Sequence, residues 1–387
     1  WSNVIKDPTA SMATPVSKRR PFALFGALLV YVAVALYFYF RSKYGSPLVQ
    51  PPKSEFLTAF ADISQFILIL VPGLLAIRKS LRSHARARAF WALMAAGFMT
   101  WATAQAGWIH VEVIRRQIIP DPFWADVVLF FHFVPFTAAL IARPHIPGEL
   151  RKIVLSAIDW SMLLLWWLYL YVFLVFPFQF IVLEQSIYDT NYNALYLAEN
   201  LLWLALLAFL FLKTRGEWKV TYRNLLGAGA LYLVSSQVIN VAILKGTYYS
   251  GSLYDVPFVI AVLWFLWTVL AGPEQAVAAE ATREADTPDD HIWVPRIALL
   301  ALLSIPILAA GIELSAQSHG PIFRFRLIVT VIAIVLLGTL VFCKQYLLDR
   351  ERVRLLAESR RAYADLQRLQ AQVVQAEKLA SIGQLVS

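Results

Sequence analysis

Long apolar runs recur along this chain, and they constrain its fold more than any other feature. Ten can be placed, most of them about 18–23 residues long. A run of that length crosses the hydrocarbon core of a bilayer as a helix. Inside hydrocarbon the backbone must satisfy its own polar groups, which leaves helices and closed barrels as spanning forms. The period-two alternation of a barrel does not run through the sequence. The expected fold class is therefore all-α, a polytopic helical membrane bundle of about ten spans followed by a cytoplasmic helix. Composition agrees: 59% of the residues are hydrophobic and 15% charged, against about 45–50% and 25% in a soluble domain.

The runs fall at 22–40, 56–77, 90–111, 123–142, 153–176, 194–212, 224–244, 256–271, 297–314 and 327–343. Basic residues cluster after the second run (Arg78, Lys79, Arg82, Arg86, Arg88), the fourth (Arg143, Arg151, Lys152) and the sixth (Lys213, Arg215, Lys219, Arg223). The segments after the fifth and seventh, "IVLEQSIYDTNYN" and "KGTYYSGSLYD", read as loops poor in Lys and Arg and rich in Tyr. Lys and Arg stay on the cytoplasmic side of a membrane protein, so both termini are expected in the cytoplasm of a multi-pass protein. Arg115 and Arg116 weaken this asymmetry without reversing it. The net charge of +9 is thereby assigned to topology, and nucleic acid is not expected as a partner. Cys343 is the single cysteine, which excludes an intrachain disulfide and a thiolate metal cluster. Walker, zinc-protease and nucleophile-elbow motifs are absent.

The expected organisation has six parts. Residues 1–21 form an N-terminal segment, of which 1–11, ahead of Met12, read as a tag or fragment edge. An eight-span sensor module follows at 22–272, then an acidic linker at 273–296 and a two-span module at 297–343. A signalling coiled coil at 344–375 leads to a short final part at 376–387. The aromatic residues at span ends, among them Trp108, Trp124, Trp160, Tyr188, Tyr248 and Tyr249, read as interfacial anchors or as the lining of an outward pocket.

Polar residues within the runs are the candidate sensing groups: Asp62, His132, Asp159, Glu199, Gln237 and Asn240, with Gln65, Gln105, His110, Asp126, Asn200 and Glu313 nearby in sequence. Charges at such depth face the bundle interior and pair. Two readings stand: interhelical hydrogen bonds worth about 0.6–2 kcal/mol each, or a site for a ligand, ion or proton. Pro72, Pro135 and Pro306 raise a third possibility, the discontinuous helices of a transporter, though no half-to-half repeat is evident.

From Lys344 the composition turns to helix formers, with no proline and a single glycine, Gly383. Leu348, Leu355, Ala362, Leu369 and Ala376 recur at seven, and Leu366, Val373 and Ala380 fill the interleaved position. That is a coiled-coil seam, and it implies a parallel homodimer.

The last stretch, "LQAQVVQAEKLASIGQLVS", resembles the start of the dimerisation and histidine-phosphotransfer domain of bacterial sensor histidine kinases. Gln375, Glu377, Lys378, Leu379, Ala380, Ile382, Gly383, Leu385, Val386 and Ser387 match the pattern Q-x-E-K-L-A-x-[LI]-G-x-L-[VA]-[AS] in register. The resemblance implies a homodimeric kinase in a bacterial inner membrane. Such a kinase uses ATP and Mg²⁺ to phosphorylate a His and passes the phosphoryl group to a response regulator. The signal ligand is unknown. The family's phospho-accepting His lies about four residues past the position of Ser387, and none of His84, His110, His132, His145, His291 and His319 stands there. On this reading the segment carries no catalytic, cofactor-binding or metal residue of its own. The alternative is a transporter-like or multi-span receptor with a dimerisation tail and no kinase.

Overall fold

The computed structural model describes residues 19–44, 55–120, 122–142, 144, 153–274, 304–311 and 320–386. Every regular element among them is helical: α1 (Arg19–Tyr44), α2 (Glu55–Arg82), α3 (Ala85–Ile109), α4 (Trp124–Phe131), α5 (Phe133–Ile141), α6 (Ile153–Leu174), α7 (Gln185–Lys213), α8 (Gly216–Leu244), α9 (Asp255–Ala271), α10 (helical at 304–311) and α11 (Pro321–Val386). Single π-helical turns, His110–Ile114 and Pro177–Ile181, follow α3 and α6.

Seven spans among the described residues are long and apolar enough to cross a membrane, an architecture compatible with a multi-pass membrane protein. Ten were expected. α9 is apolar but only 17 residues long. α3 holds its place by packing, because its run is diluted by Gly97, Thr100, Thr103, Gln105 and Gly107. The ninth run falls partly outside the described residues, as do Glu313 and most of the linker and N-terminal segment.

The chain divides into two units. In the first, α2 packs on α3, α3 on α5, α5 on α7, α7 on α8, α8 on α9 and α9 back on α2. These contacts close a ring, with α1 set against α9 and α2. Two-residue turns, Ser83–His84 and Thr214–Arg215, join α2 to α3 and α7 to α8. At the opposite end lie the longer connections 110–123, 175–184 and 245–254. These are called the tight-turn end and the long-loop end below.

Polarity is inverted relative to a soluble bundle. Ile67, Leu74, Leu201, Val234 and Val241 face outward, while Asp62, His132, Glu199 and Asn200 are buried. At the tight-turn end the buried Lys79 ammonium donates to the carbonyls of Val269 (2.6 Å) and Gly272 at the C-terminus of α9, where a cation meets the negative end of the helix dipole. Trp91 lies against the same ammonium, 4.6 Å from it, and donates to the Pro273 carbonyl at 2.9 Å.

Proline sets one break and spares another site. Pro72 lies inside α2, which runs through it. Pro135 would press its ring on the carbonyl of Phe131, four residues back, and the helix there divides at His132 into α4 and α5. A second difference concerns the segment read as the loop "IVLEQSIYDTNYN": it is helical from Gln185 onward. Tyr188, Tyr192 and Tyr196 recur at four, one face of a helix; the first two bond to Asp126 of α4, and Tyr196 lies against His132 and Phe133.

The second unit comprises residues 153–166 of α6 together with α10 and α11. Trp166 donates to Ser304 Oγ at 3.1 Å, and Asp159 of α6 pairs with Lys344 of α11. α11 is one helix of 66 residues, about 100 Å long at 1.5 Å per residue. Beyond Asp349 its described side chains are all exposed, and i,i+4 pairing of Arg354 with Glu358 at 2.8 Å supports it locally.

Candidate functional site

The core of the ring is aromatic. Trp101 (α3), Phe133 and Phe136 (α5), Tyr196 and Trp203 (α7), Tyr232 (α8) and Phe258 and Phe265 (α9) converge around His132. Close approach is enabled at Gly229, where a Cβ would strike the Trp203 ring, and at Gly97, where it would strike Phe136. His132 is 0% exposed. Its Nδ1 bonds to the Leu129 carbonyl, which makes Nδ1 the protonated nitrogen, and Nε2 has no partner.

Polar groups in this core form a graded series along α7. At the long-loop end Asp126 accepts hydrogen bonds from the Phe123 amide (3.2 Å) and the Tyr188 hydroxyl (2.9 Å). Tyr192 donates to the Asp126 carbonyl at 3.2 Å. Its ring stacks on Tyr188 and, 8° from parallel at 5.9 Å, on Tyr196. The Tyr196 and Tyr232 hydroxyls bond to each other across α7 and α8. Glu199 follows one turn deeper, within electrostatic reach of both hydroxyls. It is 1% exposed, and neither carboxyl oxygen has a hydrogen-bond partner. Trp203, one turn further, has an unpartnered indole N–H. Native interiors pair nearly all buried polar atoms, so three unsatisfied side chains around one core mark it as the candidate site.

The other sequence candidates lie elsewhere. Asp62 of α2 faces Glu112 and is within electrostatic reach of Asp255. Around them the buried Tyr31 accepts from Gln65 at 3.4 Å, and Ser250 donates to Glu112 at 2.8 Å. Asp255, the first residue of α9, ties down the preceding loop, accepting from the Gly251 amide (2.7 Å, with Gly251 at φ +87°) and from Tyr248 (3.0 Å). Burial, reinforced by the Asp255 carboxylate, pushes the Tyr248 hydroxyl well above its ordinary value. Tyr248 is half-buried and donates its hydrogen bond to Asp255. Asn240 donates to Asn193 at 3.2 Å, an α8–α7 hydrogen bond. Gln237 lines an open groove of about 320 Å³ with Val238, Val241, Ala242, Lys245, Thr247 and Tyr254. Asp159 belongs to the second unit and has its cation, Lys344.

His132 and Glu199 therefore share one core, Gln237 and Asn240 lie nearer the long-loop end of α8, and Asp62 belongs to a separate acidic cluster. The sequence reading missed Tyr192, Tyr196, Tyr232, Trp101, Trp203, Glu112 and Lys344. The first two were recoverable from their spacing of four with Tyr188. Among the described residues no group of three or more His, Cys, Asp and Glu side chains is placed to hold a metal ion. No protein-family model, curated protein or solved structure matches the chain.

Proposed function

We propose that this chain is the membrane input region of a bacterial sensor histidine kinase. The observation that carries the reading is α11, a single helix that begins as an apolar span and continues unbroken to Val386, through the segment "QAEKLASIGQLV". A helix of this kind transmits a shift or rotation of the span to whatever follows it. Its seam residues Leu355, Leu366, Leu369 and Val373 are each 56–58% exposed in the single chain. Pairing of two copies along that seam would bury them, with Leu348, Ala362, Ala376 and Ala380 in register. ATP, Mg²⁺ and a response regulator belong to the phosphotransfer chemistry that this helix would govern. The distribution of Lys and Arg supports a cytoplasmic position for the tight-turn end.

The test is a set of fusions of this chain to a histidine-kinase core, with the join advanced one residue at a time through a heptad. Kinase output that rises and falls with the seam phase supports the reading, and a flat response refutes it. Disulfide trapping checks the seam: in a C343S background L366C and L369C should give dimers, and R361C should not.

The division of one span at His132 favours a second reading, a transporter-like protein with a dimerisation tail. Uptake of a solute into proteoliposomes that depends on His132 would support it.

A further inference from the structure

Glu199 differs from the other acids within the helices. Asp62, also buried, faces Glu112 and has one carboxyl oxygen without a hydrogen-bond partner, where Glu199 has two. Asp159 has Lys344, Asp126 has Tyr188, and Asp255 has Tyr248 and an amide. Glu199 has no hydrogen-bond partner on either oxygen. The titratable groups that face it are Tyr196 on its own helix and Tyr232 from α8; His132, from the α4–α5 junction, lies against the rings of both tyrosines. α9 adds Phe265 against Trp203. α5 and α9 contain no Lys or Arg, and those of α8, Lys219 and Arg223, lie in its first turns. Among the described residues no cation is at hand to hold a carboxylate, and burying an unpaired charge costs far more than burying an acid.

The surroundings also have a direction. From Glu199 toward the tight-turn end, α7 buries Trp203, Leu207 and Leu210. Toward the long-loop end it presents Tyr196, Tyr192 and Tyr188 in turn, ending at Asp126. From Glu199 to Tyr188 is 11 residues, about 16 Å of helix.

We propose that Glu199 is a reversible proton-binding site, loaded and emptied from the end marked by Asp126. Loading forms the carboxyl O–H bond. Emptying breaks it, passes the proton toward Asp126 and leaves a carboxylate whose nearest donors are the Tyr196 and Tyr232 hydroxyls. Those hydroxyls now bond to each other across α7 and α8. Ionisation of Glu199 competes for them, so proton occupancy and the α7–α8 bridge are linked. Within the sensor reading, on which this last step rests, the proton is the signal.

The experiment is pH-difference infrared spectroscopy on the full chain in lipid nanodiscs. A carboxylic-acid C=O band should be lost as pH is raised, return when it is lowered, be absent in E199Q and be shifted in Y232F. In D126N the band should remain but respond more slowly to a pH jump. Wild-type and E199Q difference spectra that superimpose would overturn the site, and an unchanged rate in D126N would overturn the route. Should E199Q not fold, Y232F decides: a pH-responsive acid band that it shifts belongs to Glu199, and the absence of any such shift overturns the site. The band is read without any kinase, so a flat response in the heptad-phase fusions would sink the kinase reading and leave this one standing.

Discussion

Substitution of Lys344 by Met should loosen the output helix at the point where its apolar span becomes a polar coil. Lys344 and Asp159 are 10% and 16% exposed at their side chains, so neither is rescued by bulk water when the other is lost. Removing one member of a buried pair costs about 3–5 kcal/mol, because the survivor is left as an uncompensated charge. Even about 3 kcal/mol changes a two-state ratio by more than 100-fold at about 1.4 kcal/mol per factor of ten. Hydrogen exchange at the amides around residues 337–350 in nanodiscs reads this directly. K344M and D159N should each speed exchange there by two orders of magnitude or more on that scale. The double variant D159L/K344M, which removes both charges, should return most of the protection. Single variants within about 0.5 kcal/mol of wild type, adding without coupling, would refute the reasoning, since independent sites behave that way.

Three further outcomes follow from the same geometry. G229V should lower thermal stability by about 1–3 kcal/mol, the usual cost of overpacking, because its side chain meets the Trp203 ring; unfolding in detergent measures it. K79M should destabilise the C-terminal turn of α9 by about 1–3 kcal/mol, the cost of orphaning buried acceptors, while K79R keeps a donor to the Val269 and Gly272 carbonyls; limited proteolysis after Ala271 reports it. Stability should also fall in alkali. Tyr248 has its folded value raised above the ordinary 10.0, so its contribution is complete below that pH and is lost as pH climbs from there toward the folded value. The slope is about 1.4 kcal/mol per pH unit for one group. Y248F should flatten the decline by that much in unfolding curves taken across alkaline pH.

Helical character was legible because one physical constraint, backbone satisfaction in hydrocarbon, leaves few solutions. α2, α6 and the span of α11 lie where their apolar runs lie. α7 began nine residues before its apolar run because polarity was read as loop. Asp126 and the Asn193–Asn240 bond satisfy those polar side chains, and such partners are invisible in one dimension. The candidate residues were legible as types but not as a constellation. His132 and Glu199 come to the same pair of tyrosines because α5 and α8 both pack on α7, whereas Asp159 finds Lys344, 185 positions away. The break at His132 was foreshadowed by Pro135, yet the same residue type at Pro72 left α2 whole.

The closed ring sets its polar core apart from an apolar outside: Leu, Ile and Val on α2, α7 and α8 face outward, and each of these helices is packed by a neighbour on either side in the ring. On the proposed route a proton reaches the core along the axis, past Asp126 and the tyrosines. Under the proton-site proposal, the bundle samples the aqueous phase at its long-loop end.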